Sequence, residues 1–241
     1  TLSTFPIHWY LHLILKSFLV CEYRLFNLES NTLTMLSAIQ KKIEKETIIL
    51  ASQSMQRKQI LESIPLKFTT IPSHYDESLV TFSGNYSDYV IELAKKKGEE
   101  VFKRLGGEGC PGTLIIAADT IVVKNEEIIG KPKDYLHAFN LLSCLSGGDH
   151  DVHTGVCLIR IRDNKLRTVE FSEKTTVTMA PLSSEIIKKY LEFEEYKGKA
   201  GAYAIQGIAG SFVSSISGDF FNVVGLPKHQ LCLHIIKLLE D

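Results

Sequence analysis

The sequence predicts an α/β fold built on a mixed, twisted sheet with flanking helices. Three observations carry this expectation. Strand-like and helix-like segments alternate along most of the chain. Two long strand-like runs, near 150–161 and 166–179, stand side by side and suit an antiparallel hairpin. The length of 241 residues suits one domain, or one domain of two lobes, with a sizeable core.

The elements follow in order. "TIILA" (47–51) reads as a first strand, and Ser52 or Ser54 can cap a helix over "MQRKQILES". "KFTTI" is a short second strand, followed by a loop carrying His74, Asp76 and Glu77. "YSDYVIELAKKKGEEVFKRL" has the spacing of a long amphipathic helix, and a glycine-rich loop then leads into "LIIAADTIVV" (114–123), a strand with apolar residues on both faces. "KNEE" makes a turn, and Pro132 separates a short strand from a helix over "YLHAFNLLSCL". The two long runs follow, joined by a turn at Asp163-Asn164. "SSEIIKKYLEF" is a helix capped by Ser183 or Ser184, and "LPKHQLCLHIIKLL" is the last one.

Composition excludes some classes of function. Hydrophobic residues make up 44% and charged residues 23%, as in an ordinary globular protein. Lys plus Arg total 27 against 28 for Asp plus Glu, a net charge of −1, so bulk charge draws no nucleic acid. The five cysteines are widely spaced without a CxxC pair, which argues against a disulfide framework or a zinc site and fits a reducing, cytoplasmic compartment. The apolar N-terminal run is interrupted by Lys16 and lacks a preceding basic region, so it makes a poor signal peptide and a marginal membrane span. Because the first methionine is Met35, residues 1–34 read as an extension, of upstream translated sequence, outside a domain at 35–241. An anchor or targeting segment is the alternative. No membrane association is expected of the domain itself.

Several patterns are decoys. Gly107, Gly109 and Gly112 spell GxGxxG, but the run follows a helix, contains Pro111 and leads into a strand, the reverse of a dinucleotide site. His150 and His153 are three apart in a strand and face opposite sides. His8 and His12 lack a third ligand.

Asp119 is the anomaly, a carboxylate in the middle of an apolar strand. An unpaired buried carboxylate costs several kcal/mol, roughly, so its charge must be compensated. It either bonds to Thr120 or nearby backbone as a structural feature, or it meets a metal ion or activates water. Lys97 lies on the apolar stripe of Val90, Leu93, Ala94, Val101 and Leu105, where it either needs an anion or snorkels to an edge. Lys131 projects from "IIGKP", a constrained stretch beyond a strand. Arg57 stands in the first turns of a helix, where free N–H groups favour an anion; a solvated helix face is the other reading. Two acids, Asp119 and Glu77, and three bases, Arg57, Lys97 and Lys131, from separate segments suit a metal-dependent phosphate ester or anhydride site.

At these residues the chain resembles the Maf family of nucleoside triphosphate pyrophosphatases. "ILASQSMQRKQIL", "DES" (76–78), "LAKKKG", "AADTIVV", "IGKP", "LSGGDHDVHTGV" and "GKAGAYAIQGIAGSFVSSISGDFFNVVGLP" follow in the family's order across residues 47–236. The resemblance implies two lobes around a cleft, a fold akin to inosine triphosphate pyrophosphatases, and a homodimer. It implies hydrolysis of a nucleoside triphosphate to the monophosphate and pyrophosphate with Mg2+ or Mn2+, a house-cleaning role. By position, Asp119 would activate water and, with Glu77, hold the metal; Arg57, Lys97 and Lys131 would bind the triphosphate. Ser52 and Ser54 would line the phosphate loop, Gln206 would sit near base or sugar, and Thr154 and Gly155 would shape the cleft floor. "AIQG" and "SGDFFNVVGLP" are similar to the branch acting on dTTP and UTP.

Two departures stand out. The family's first arginine is Gln56 here, which offers no charged fork to phosphate, and Lys58 is a candidate substitute. The family's Lys-Ala is Lys97-Gly98, a change worth about 1 kcal/mol of helix propensity. A non-catalytic nucleotide-binding module with a degenerate arginine motif is therefore the alternative function.

Overall fold

The computed structural model describes residues 35–107, 112–163 and 165–240. The expectations about residues 1–34, and the parts of the glycine run and hairpin turn at Gly109, Cys110, Pro111 and Asn164, lie outside those residues.

A short helix α1 (Gln40–Ile43) precedes β1 (Thr47–Leu50), α2 (Met55–Glu62), β2 (Phe68–Thr70) and the long α3 (Tyr86–Arg104). Then come β3 (Thr113–Lys124), β4 (Glu127–Ile129), α4 (Tyr135–Leu145) and the hairpin β5 (Asp149–Arg162) and β6 (Lys165–Met179). The chain ends with α5 (Ser184–Leu191), β7 (Val213–Ser217), α6 (Phe220–Val224) and α7 (Lys228–Glu240). The predicted helices start where their caps allow. The hydroxyls of Ser54 and Ser183 accept from the backbone N–H groups of Arg57 and Ile186, so the second of two candidate serines caps α2 and the first caps α5. The turn after β3 places Asn125 and Glu126 at positive φ. Sequence periodicity missed β7 and α6, because neither is long enough to show a period.

The seven strands run in the order β2-β1-β3-β5-β6-β7, and β4 pairs with the far end of β3 on the same edge as β1. β1 is parallel to both its neighbours, and all later pairings are antiparallel, so the sheet is mixed. Side chains of β3 alternate between two cores. Leu114, Ile116 and Ala118 pack with α2 and α7, whereas Ile115 and Ala117 pack with Ala94 and Val101 of α3. A separate cluster around Leu142, Leu145, Ile187, Tyr190 and Phe212 forms the core of a second lobe, reached by Val122. Arg160 of β5 is buried with Glu46, donating to its Oε1 at 2.7 Å and to the Leu238 carbonyl at 2.7 Å, which ties the sheet to α7. Among the described residues, no helix is long and apolar enough to cross a membrane.

Candidate active site

The cleft arises from a gap in strand pairing. β1 stops at Leu50, opposite Ile116, and β4 begins pairing only at Val122. Residues 117–121 of β3 therefore have a strand partner on one side, β5, and an open edge on the other. A cleft of about 560 Å³ opens at that edge, between the two lobes.

Asp119 lies in this window with its side chain on the α3 face, buried to 7% exposure. It meets Lys97, whose ammonium donates to Asp119 Oδ1 and, at 2.8 Å, to Glu77 Oε1. Asp119 thus finds its partner neither in Thr120 nor in local backbone but across the helix–sheet interface. Lys97 does not snorkel; its side chain keeps only 11% exposure. Glu77 begins a single 3₁₀ turn capped by Asp76, whose Oδ1 accepts from Ser78 N at 3.0 Å, so of the two neighbouring acids one builds the turn and the other lines the cleft. Burial works to raise the Glu77 pKa. The bond to Lys97 and the charges of Lys97, Lys131 and Arg57 together outweigh it and hold the carboxyl below its ordinary value.

Arg57 occupies the opposite face. Its Nε donates to the Gly225 carbonyl at 2.8 Å, and its two terminal nitrogens donate to Ser52 Oγ at 3.3 Å and Thr120 Oγ1 at 3.0 Å. Burial is the main influence on the guanidinium and lowers its pKa, against the pull of Asp119 and Glu77. Ser52 also accepts from the backbone N–H of Ser54 at 3.1 Å, so the two serines form one turn leading into α2.

The remaining wall belongs to the second lobe. Lys131 lines the cleft after Gly130, whose carbonyl accepts from Gly201 N at 3.2 Å. That bond joins Lys131 to the segment bearing Lys199 and Tyr203, which also face the cleft. Burial lowers the Lys199 pKa, and the nearby Lys131 charge adds to this while Glu195 opposes it. Gln206 lines the cleft from a loop pinned by Glu195, whose Oε1 accepts from Ile208 N at 3.2 Å.

All eight sequence-predicted residues (Ser52, Ser54, Arg57, Glu77, Lys97, Asp119, Lys131 and Gln206) line this one cleft. Thr120, Lys199, Tyr203 and Gly225 line it too and were missed. Thr120 follows Asp119 directly, but period-two alternation assigns it to the other side of the sheet, and only the missing strand partner brings both into one cleft. Thr154 and Gly155 do not form the cleft floor. Thr154 is wholly buried behind Thr120, and Gly155 faces α3, where an added Cβ would lie 2.2 Å from the Val90 carbonyl oxygen. Gln56 lines the cleft, its Oε1 accepting from the Ser54 hydroxyl at 3.2 Å. Lys58 is instead paired with Glu62 along the exposed side of α2, at 3.7 Å, and is not among the lining residues.

The decoys resolve physically. His150 bonds to Tyr203 OH at 2.8 Å, while His153 stacks obliquely with Tyr86 on the α3 side, so the two rings have different surroundings. Cys157 and Cys232 are buried and Cys144 is exposed, all as free thiols. Cys21 and Cys110, like His8 and His12, lie outside the described residues.

Acids on one face, a cationic fork on the other and lysines on the far wall make a site for a polyphosphate carried with a cation. Comparison with known proteins agrees with that chemistry. Residues 47–238 match the family Maf, described as Maf-like protein. A dTTP/UTP pyrophosphatase of Clostridium novyi (strain NT) is 44% identical over 184 residues, spanning 76% of this chain and 93% of that relative. The dTTP/UTP pyrophosphatases of Clostridium kluyveri (strain NBRC 12016) and Clostridium perfringens (strain SM101 / Type A) are 40% identical over 185 residues and 41% identical over 184, with the same shares of 76% and 93%.

Proposed function

The chain belongs to the Maf family, and from that premise we propose that it hydrolyses dTTP, UTP or a related pyrimidine nucleoside triphosphate to the monophosphate and pyrophosphate. It is a hydrolase of phosphoanhydride bonds. The observation that carries the reading is the convergence of Asp119, Glu77 and Lys97 on one side of an open strand edge with Arg57 on the other.

The products define the bond broken: water attacks the α-phosphorus, and the bridging oxygen leaves with the β- and γ-phosphates. Asp119, held by Lys97 in the cleft, accepts the proton of the attacking water. Lys131 and Lys199 face the cleft from the second lobe and Arg57 from the first, and they balance charge on the departing pyrophosphate. Gln206 contacts base or sugar.

The donor set fits a divalent ion such as Mg2+ or Mn2+. Lys97 engages one oxygen each of Asp119 and Glu77, which leaves the second oxygen of each carboxylate for another cation. Among the described residues no group of three or more His, Cys, Asp or Glu side chains forms a metal cage. Two carboxylates completed by phosphate oxygens and water are what Mg2+ accepts. Once bound, the ion would neutralise phosphate charge and polarise the phosphorus.

The proposal includes a house-cleaning role, a homodimer and a cytoplasmic setting; the three cysteines among the described residues, all free thiols, support the last. It also treats residues 1–34 as lying outside the working domain. The deciding experiment incubates the purified protein with a panel of nucleoside triphosphates and Mg2+ or Mn2+, and detects pyrophosphate. Release from dTTP or UTP that stops on chelation is expected. Nucleotide binding without pyrophosphate release would establish the non-catalytic module instead, a reading that Gln56 alone favours.

A further inference from the structure

We propose that Thr154, which does not reach the cleft, is a positioning residue that fixes the polarity of the Thr120 hydroxyl and through it the Arg57 fork. The inference deepens the function proposed above and rests on Arg57 binding the substrate's phosphates.

Thr154 is wholly buried, and its hydroxyl donates to the Asn222 carbonyl at 3.1 Å. A hydroxyl has one proton. With that proton committed, the 2.9 Å contact between Thr154 Oγ1 and Thr120 Oγ1 is made by the proton of Thr120. The other acceptor open to Thr120, the Gly225 carbonyl, is farther away at 3.4 Å. Thr120 therefore turns its proton into the core and its lone pairs outward, and one of them receives the Arg57 nitrogen at 3.0 Å. The order runs Arg57 to Thr120 to Thr154 to Asn222, each group donating to the next, an arrangement in which successive hydrogen bonds strengthen one another.

The far end is rigid. Asn222 is buried, and its amide donates to the Val152 carbonyl at 3.0 Å and to Thr175 Oγ1 at 2.9 Å, which ties α6 to β5 and β6. The same short helix presents Gly225 O to Arg57 Nε at 2.8 Å. Arg57 thus uses three of its five N–H donors on scaffold and holds the rest in a set orientation for phosphate. Were Thr154 unable to accept, the Thr120 proton would compete with Arg57 for the same space, and the fork would lose that orientation.

The test measures the Kd for tripolyphosphate by calorimetry alongside KM and kcat for dTTP. Thr154→Val removes the hydroxyl at nearly constant volume. It is expected to raise both Kd and KM about tenfold with kcat within about threefold, as loss of one hydrogen bond to a charged network does. Thr154→Ser should restore all three. In an Arg57→Ala background Thr154→Val should add nothing, because its effect acts through that arginine. Equal loss with and without Arg57 would show a packing role and overturn the inference, as would unchanged Kd in Thr154→Val. If Thr154→Val does not fold, Thr154→Cys, a weak hydrogen-bond partner of similar size, must show the same pattern for the inference to stand. A wild-type protein that binds tripolyphosphate but hydrolyses no nucleotide refutes the proposed function, while the binding data still decide the role of Thr154.

Discussion

Asp119 and Thr120 are consecutive on β3 and face opposite sides of the sheet, yet both line the same cleft. Asp119 meets Lys97 from α3, and Thr120 meets Arg57 from α2. A fully paired strand would keep those faces apart. The stretch between the end of β1 and the start of β4 leaves the edge of β3 bare, and a ligand seated there touches both faces at once. The site is thus a consequence of strand length as much as of the residues it carries.

Substituting Asp119→Asn separates chemistry from binding. The amide keeps the volume, and Lys97 retains Glu77 as partner. Turnover of dTTP should fall by roughly 10²- to 10⁴-fold, the usual contribution of a positioned base, while the Kd for a non-hydrolysable analogue stays within a few-fold. Rapid-quench turnover with calorimetric binding checks both halves; comparable losses in the two would assign Asp119 to binding.

Removing Lys97 has the opposite logic. In Lys97→Met, Asp119 and Glu77 face each other without their shared ammonium. Glu77 is about half exposed, at 49%, so solvent absorbs part of the loss. The protein should be destabilised by about 2 kcal/mol in chelator, and millimolar Mg2+ should restore part of that because the ion replaces the ammonium between the two carboxylates. Urea unfolding with and without Mg2+ measures it; a variant as stable as wild type in chelator would show that the carboxylates do not depend on the lysine.

Gln56 tests which cation replaces the family's arginine. Lys58 is turned towards Glu62, so it does not substitute. Gln56→Arg should lower KM roughly five- to tenfold by adding a charged donor at the cleft, and Lys58→Ala should leave KM unchanged. A rise in KM for Lys58→Ala would restore the compensation idea.

Much of this was legible in the sequence, and the limits have physical causes. Lys97 could be placed because a lysine on an apolar helical stripe breaks the pattern, and Asp119 because a carboxylate breaks an apolar strand. The mixed sheet followed from the adjacency of β5 and β6, and the antiparallel pairing is observed. Thr120 and Thr154 fit a strand pattern without conflict, so the sequence offered Thr120 only as a neighbour for Asp119 and Thr154 only as cleft floor, and neither reading gave its actual role. Their role depends on register, Thr120 opposite Thr154, and register is set by long-range pairing. Gly225 was equally hidden, since it acts through its carbonyl, which every residue possesses.

Gly155 and Gly98 both face α3 but should tolerate alanine differently. At Gly155 a Cβ would sit 2.2 Å from Val90 O and 2.5 Å from Ile91 N, so the helix backbone itself must retreat. Gly155→Ala should cost about 3 kcal/mol or more and, because Lys97 rides on the same helix, should lower activity as well. At Gly98 the nearest atom is the Ile159 Cδ1 terminus at 3.0 Å, which can rotate away, although Ala117 Cβ follows at 3.3 Å. Alanine there gains about 1 kcal/mol of helix propensity, so Gly98→Ala should lie within about 1 kcal/mol of wild type. The glycine in place of the family's alanine is therefore close to neutral in stability, tighter packing offsetting helix propensity, and chemical denaturation of the two variants tests the contrast.

His150 should give the protein an acid-sensitive stability. The ring is 3% exposed, and burial pushes its pKa down to about 4, with Lys124 adding to the shift and Asp151 and Asp149 opposing it. In the unfolded chain the ordinary value is 6.5. Between these values the unfolded state binds a proton that the folded state refuses, so stability is complete above about pH 6.5 and falls as pH drops towards 4. At about 1.4 kcal/mol per pH unit, the whole window is worth up to ~3 kcal/mol. His150→Gln should be less stable at pH 7, where it loses a neutral ring bonded to Tyr203, but its stability should fall less steeply on acidification. Comparing the two proteins isolates this term from carboxylates such as Glu77 and Asp151, whose lowered pKa values add a similar slope at lower pH in both. Because Tyr203 lines the cleft, protonation of His150 also disturbs the substrate wall, and KM should rise in wild type as the pH approaches 4. Urea titrations at pH 7, 6 and 5 are the measurement, and parallel slopes for wild type and His150→Gln would show that the buried ring does not control the acid limb.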